Sequence, residues 1–179
     1  MSSADLTYKV CIFGNTGVGK TSLTQRYLTE KFNRNIQKTL GVNIGIKKLI
    51  VNDKQVSLQI WDFGGEERYG FYLPIYAKGS NGGIFMFDIT KERSLKDIEN
   101  WLSIFRKHSK AIEFNIPILL VGGKSDLHDE RKIILKDAKN YVKTYNLYEL
   151  IECSALTGDN VEKVFLSITH IIMRDAGHL

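Results

Sequence analysis

Residues 14–21 read GNTGVGKT, and no other stretch limits the fold of this chain so strongly. The pattern is a glycine, four residues, then Gly-Lys and a hydroxyl residue. It follows an apolar run, YKVCIF (8–13), and opens a helical stretch from Lys20 to about Glu30. Strand, glycine-rich turn and helix start together make a cradle for phosphate. The glycines let backbone N–H groups converge on an anion, and the helix N-terminus adds a favourable dipole. Lys20 reaches the outer phosphates and the Thr21 hydroxyl can ligate magnesium. Asn15, Thr16, Gly17, Val18 and Gly19 complete the loop, and Ser22 follows it into the helix. The motif implies a nucleoside triphosphate. It leaves open which base is bound and whether hydrolysis follows.

The rest of the chain alternates short apolar strands with amphipathic helices. Residues 43–51 and 55–61 read as a strand pair across the turn Asn52-Asp53-Lys54. GGIFMFDI (82–89) and IPILLVGG (116–123) are unbroken apolar runs that suit interior parallel strands covered on both faces. Ser94 is expected to open a helix, with Asp97 three residues on and Leu95, Ile98, Leu102 and Phe105 along one face. Residues 133–144 predict another helix and ELIEC (149–153) a last strand. Asp159, followed by Glu162, is expected to cap a final helix striped by Val161, Val164, Phe165, Ile168 and Ile172. The expected fold is α/β: a mostly parallel six-stranded sheet with helices on both faces, binding its ligand at the carboxyl ends of the strands.

Composition narrows the function classes. A chain of 179 residues fits one domain with one sizeable core, and 43% apolar with 25% charged residues is ordinary for a globular protein. No apolar run approaches the roughly 18 residues of a membrane span, and MSSADLTYK lacks the apolar core of a secretory signal. A cytoplasmic location is expected. Cys11 and Cys153 stand in no metal or redox spacing and read as free buried thiols. The net charge of +5 is spread along the chain with no basic run longer than two, which argues against a dedicated nucleic-acid site. Neither end carries a lipidation signal, so membrane attachment is expected through a partner or a further tail.

The later motifs are specific. TLGVN (39–43), WDFGGEER (61–68), FDIT (87–90), GGKSD (122–126) and ECSALTG (152–158) follow the phosphate loop in the order and spacing of the Ras superfamily of small GTPases. The chain resembles that superfamily from residue 8 to about 172 and is most similar to its Rab members. The resemblance implies the P-loop NTPase fold in its small G-protein form, with GTP or GDP and Mg2+ bound. It makes Thr39 the switch threonine that gives the metal a second hydroxyl, beside Thr21. It makes Asp62 the carboxylate that holds the metal through water, and Gly65 the residue whose N–H meets the γ-phosphate. Asp126 would accept the ring N–H and exocyclic amine of guanine, a donor pair that adenine lacks on that edge. Lys124 would lie over the base and Phe32 cover it. The Ala155 N–H would meet the guanine oxygen, with Ser154 and Leu156 alongside.

Several positions depart from the family, among them Phe63 and Gly64 in place of the usual threonine and alanine, which suggest a loop of altered shape. Gly123 stands where the family has asparagine, so one side-chain tie between base and phosphate loop is gone, and weaker nucleotide retention is expected. Leu156 replaces a lysine beside the base. Glu66 occupies the position whose glutamine orients the attacking water. A glutamate can accept a hydrogen bond from that water, yet when ionised it cannot donate to the charged transition state and it repels the γ-phosphate. With no arginine in the phosphate loop, slow intrinsic hydrolysis is expected, and Arg34 and Arg68 are expected to face solvent or partners.

Two readings from different classes stay open. One is a GTP-binding switch whose segments 40–46 and 71–76 meet effector, exchange-factor and activating proteins, the chain itself being monomeric. The other is a binding module held together by a nucleotide it does not turn over. A P-loop kinase or ATPase would need a lid or acceptor site for which the chain leaves little room.

Overall fold

The computed structural model describes residues 6–65, 72–109 and 115–179. Among these, six strands form one sheet in the order β2-β3-β1-β4-β5-β6. They are β1 (Leu6–Phe13), β2 (Val42–Val51), β3 (Lys54–Phe63), β4 (Gly82–Asp88), β5 (Ile118–Gly123) and β6 (Leu150–Glu152). Every pairing is parallel except that of β2 with β3. That hairpin turns tightly at Asn52 (φ 46°) and Asp53 (φ 60°), with Val51 paired to Lys54. Two successive left-handed residues match the right-handed twist of the flanking strands, and Asn and Asp tolerate that conformation best after glycine.

The apolar runs are buried on both sides, as their lack of alternation predicts. Along β1, Val10 and Ile12 face one layer while Cys11 and Phe13 face the other. The first layer receives α1 (Lys20–Thr29) and the long helix α6 (Val161–Asp175), whose Val164, Phe165 and Ile168 are wholly buried. Tyr27 and Phe165 stack with ring centroids 4.0 Å apart. Burying a side chain the size of Phe165 stabilises the fold by about 2–3 kcal/mol. The second layer holds α2 (Tyr72–Tyr76), α3 (Glu92–Lys96), α4 (Ile98–Ser109) and α5 (Leu135–Thr144), packed through Leu73, Leu95, Leu102, Phe105 and Ala138. Both cysteines are free and buried. No helix among the described residues is long and apolar enough to cross a membrane.

Several local expectations need correction. Ser94 does not open its helix. The helix starts at Glu92, and the Ser94 hydroxyl donates back to the Lys91 carbonyl and accepts the Asp88 N–H, so it closes the turn after β4. Asp159 is not a cap. Asn160, in left-handed conformation (φ 54°), precedes α6 with no side-chain cap bond, because the loop folds back so that the Asp159 carbonyl receives the Ser154 N–H. β5 begins at Ile118 rather than 116, since Pro117 has no N–H for the ladder. α5 begins at Leu135, because the N–H groups of Lys132 and Ile133 both bond the Ile89 carbonyl and hold that stretch extended.

The sheet order reverses at β1, which has β3 on one side and β4 on the other. The crevice beyond the carboxyl end of β1 is therefore the natural ligand position.

Candidate functional site

The loop from Gly14 to Gly19 leaves β1 at that crevice. Gly14, Gly17 and Gly19 have φ of 136°, 75° and 106°, which only glycine adopts without strain. Gly14 is doubly constrained, because a Cβ there would collide with the Met86 carbonyl. Val18 is wholly buried and anchors the loop, while Thr16 and Gly17 are exposed. Lys20 folds under the loop, its Nζ donating to the Gly14 and Asn15 carbonyls at 2.8 Å each. Burial lowers its pKa to about 8, against the opposing attraction of Asp62.

Three segments meet beside Lys20. The Thr21 hydroxyl donates to Asp62 Oδ2 at 2.6 Å and lies 2.7 Å from the Thr39 hydroxyl. Asp62, at the end of β3, is wholly buried, and burial raises its carboxyl to about 6 although Thr21, Lys20 and Thr39 pull it down. Asp62 Oδ1 is buried without a hydrogen-bond partner. Two hydroxyls and a carboxylate with a spare buried oxygen form an all-oxygen donor set that suits a hard divalent cation such as Mg2+. Thr39 is brought in by the loop between α1 and β2, which the Gly41 carbonyl ties to the Gly64 N–H at 2.9 Å. Gly65 backs so closely on Asn15 and Thr16 that any Cβ would strike their backbone. A cleft of about 310 Å³ opens over Lys20, Thr21, Ser22, Thr39 and Gly65.

A second cleft of about 370 Å³ adjoins it, sharing Gly19, Ser22, Phe32, Arg34 and Lys124, and reaches Asp126, Ala155 and Leu156. Asp126 Oδ1 accepts the wholly buried Ser154 hydroxyl at 2.5 Å, and the Ser125 N–H bonds the Cys153 carbonyl, so the ends of β5 and β6 are locked together. Lys124 takes a left-handed conformation (φ 64°), and its Nζ lies 2.7 Å from Asp88 Oδ2. Larger clefts of about 420 and 520 Å³ occur at the opposite end of the sheet, away from all of these residues.

Most of the candidate residues from the phosphate loop to Leu156 thus line two adjoining clefts, while Asn15, Asp62 and Ser154 line neither and are bonded to Lys20, Thr21 and Asp126 respectively. Glu66, Arg68 and Phe71 lie outside the described residues. Arg34 is exposed yet borders both clefts. Met86 also lines the second cleft and Asp88 pairs with Lys124 beside it; Met86 falls in no motif of the sequence, and Asp88 only within FDIT (87–90). The signal for both was position, since they end an apolar strand at the carboxyl edge of the sheet.

The Ras family model matches residues 9–174. The chain belongs to the Ras family. This small GTPase is 36% identical to the Ras-related protein RABA1g of Arabidopsis thaliana over 172 residues, covering 96% of this chain and 77% of that protein. It is 36% identical to Arabidopsis RABA4d over 170 residues, with 95% and 75% covered. It is 34% identical to the GTP-binding protein ypt3 of Schizosaccharomyces pombe over 170 residues, with 95% and 78% covered. A Ras-family chain with Rab-type relatives is a GTP-binding protein of the switch type, and the mostly parallel sheet with helices on both faces is the fold expected of it.

Proposed function

We propose that this small GTPase is a single-domain, monomeric Rab-like switch that binds GTP or GDP with Mg2+, hydrolyses GTP slowly and signals which nucleotide it holds. The observation that carries this reading is the meeting of Thr21, Thr39 and Asp62, from three separate segments, with one buried Asp62 oxygen unpartnered. A divalent metal held there by Thr21, Thr39 and Asp62 would supply charge neutralisation to the bound phosphates.

The chain's own residues do the rest. Lys20 exchanges its two carbonyl partners for phosphate oxygens, and the loop N–H groups from Asn15 to Ser22 cradle the anion. Asp126 accepts the two guanine donors, oriented by Ser154. Lys124 and Phe32 cover the base, the Ala155 N–H meets its oxygen, and Leu156 gives an apolar edge. Thr39 and the Gly65 N–H report the γ-phosphate, so its loss frees the segments that carry them.

Those segments display Leu40, Ile44, Ile46 and Ile75, all more than half exposed, beside the half-buried Tyr76. Apolar surface of this kind supports effector, exchange-factor and activator binding there, with recruitment to membranes through such a partner.

A single-turnover assay tests the reading. Protein loaded with GTP and Mg2+ is followed for phosphate release beside Glu66→Gln and Glu66→Ala variants. Slow release by the parent that collapses in the alanine variant makes Glu66 a catalytic residue and the chain a timed switch. Bound GTP recovered intact makes it a binding module set by exchange alone.

A further inference from the structure

The glycine at 123 is not a vacancy. β5 ends there against the phosphate loop, and a Cβ built on Gly123 would lie 2.5 Å from Met86 Cε and 2.8 Å from the Val18 carbonyl oxygen. The same methyl comes within 3.4 Å of a Cβ built on Gly19. Met86 is 2% exposed, lies two residues before the end of β4, and borders the cleft that holds Asp126 and Ala155. Its thioether thus bridges three pieces of the site: the end of β5, the phosphate loop at Gly19, and the wall of the cleft that reaches Asp126. An unbranched thioether suits such an irregular gap, since it has three rotatable bonds and a polarisable sulfur that packs well on a flat ring.

Two consequences follow from this packing. A side chain at 123 must displace both the flexible Met86 methyl and the backbone Val18 carbonyl, so an asparagine there disturbs the phosphate loop as well as Met86. The support between base segment and phosphate loop is then made by contact rather than by hydrogen bonds. We propose that Met86 is a positioning residue of the nucleotide site, a wedge that replaces the missing side chain at 123 and sets how long nucleotide is retained. The inference rests on the switch reading above.

The test is the release rate of fluorescent N-methylanthraniloyl-GDP from the full chain, in the parent and in Gly123→Asn, Met86→Val, Met86→Leu and Gly123→Asn/Met86→Val, with urea unfolding of each. Gly123→Asn alone overpacks the junction and is expected to speed release by about tenfold. Met86→Val alone removes the wedge and speeds release severalfold, while Met86→Leu, close in volume, stays within about threefold of the parent. The double variant relieves the Met86 contact but keeps the one with the Val18 carbonyl, so it is expected to release GDP more slowly than Gly123→Asn alone while staying above the parent rate. The two sites are then non-additive, as touching residues are.

Additive effects on release in protein that binds GDP tightly overturn the Met86 assignment and leave the switch reading intact. So does a Met86→Val variant that unfolds more easily but releases GDP at the parent rate, which is the behaviour of an ordinary core residue. Failure of the folded parent to bind GDP or GTP overturns the switch reading, and this inference with it.

Discussion

The Lys124 ammonium lies 2.7 Å from Asp88, a carboxylate with no exposed side-chain surface, while about a third of the lysine side chain remains open to solvent. The residue proposed to cover the base is thereby held by a charge at the end of β4. The other Asp88 oxygen accepts the Thr90 N–H at 2.9 Å and the Thr90 hydroxyl at 2.7 Å. Burial alone would raise this carboxyl, yet Lys124 and Thr90 outweigh it and hold the pKa below its ordinary 3.8.

Asp88→Asn tests this pair. Breaking a fully buried ion pair costs about 3–5 kcal/mol, and the partial exposure of Lys124 reduces the expected loss to about 2 kcal/mol. A carboxyl whose folded pKa is depressed stabilises above its unfolded value and loses that contribution as pH falls through the folded one. In urea unfolding the gap between parent and variant should therefore be full at pH 7 and shrink as pH drops below 3.8. A gap that stays constant into that acid range would show that the loss is steric rather than electrostatic. Release of GDP should also quicken in the variant, since Lys124 loses its anchor.

Asp62→Asn should separate two effects that the parent combines. An ionised carboxylate in this buried position, with Oδ1 unpartnered, is costly until a cation meets it. In chelator at pH 7, without nucleotide, the asparagine variant should be more stable than the parent by an amount on the order of 2 kcal/mol. Added Mg2+ with GDP should then raise the parent's thermal midpoint much more than the variant's. Equal gains in the two proteins would remove Asp62 from the metal site.

Much of this architecture is legible in the sequence because its physics is local. YKVCIF and GGIFMFDI carry no polar alternation, so they must be covered on both faces, and Val10 against Cys11 shows the two layers being filled. The phosphate loop is readable because each glycine answers a backbone demand, as Gly19 does at φ 106°. What escapes is set by neighbours distant in the chain. Gly123 reads as a missing tie, since nothing in the linear order says that Met86 from the adjacent strand fills its space. Ser94 reads as a cap because Asp97 follows it, but the hydroxyl is engaged by Asp88 and Lys91 from the preceding turn. Lys124 reads as a base contact alone, because the charge that holds it belongs to a different motif.

The phosphate loop has a second tether, on the side away from the base, and it yields the sharpest double substitution. Asn15 Nδ2 donates to Asp97 Oδ2 at 2.7 Å, while Asn15 Oδ1 accepts the Trp101 indole N–H at 2.7 Å. One amide thus ties the loop to the junction between α3 and α4 and uses both its donor and its acceptor. Asn15→Asp keeps the size and the tryptophan bond but sets two carboxylates at hydrogen-bonding distance. With Asp97 about a third exposed, the expected cost is about 1–2 kcal/mol in unfolding, with faster release of fluorescent GDP. Asp97→Asn alone should change little, since its amide oxygen still accepts from Asn15. The double variant Asn15→Asp/Asp97→Asn reverses donor and acceptor across the same gap, so it should recover most of the lost stability and a release rate close to the parent's. A double variant no better than Asn15→Asp would mean that the loop needs the amide itself, for contact with phosphate, rather than its bond to Asp97.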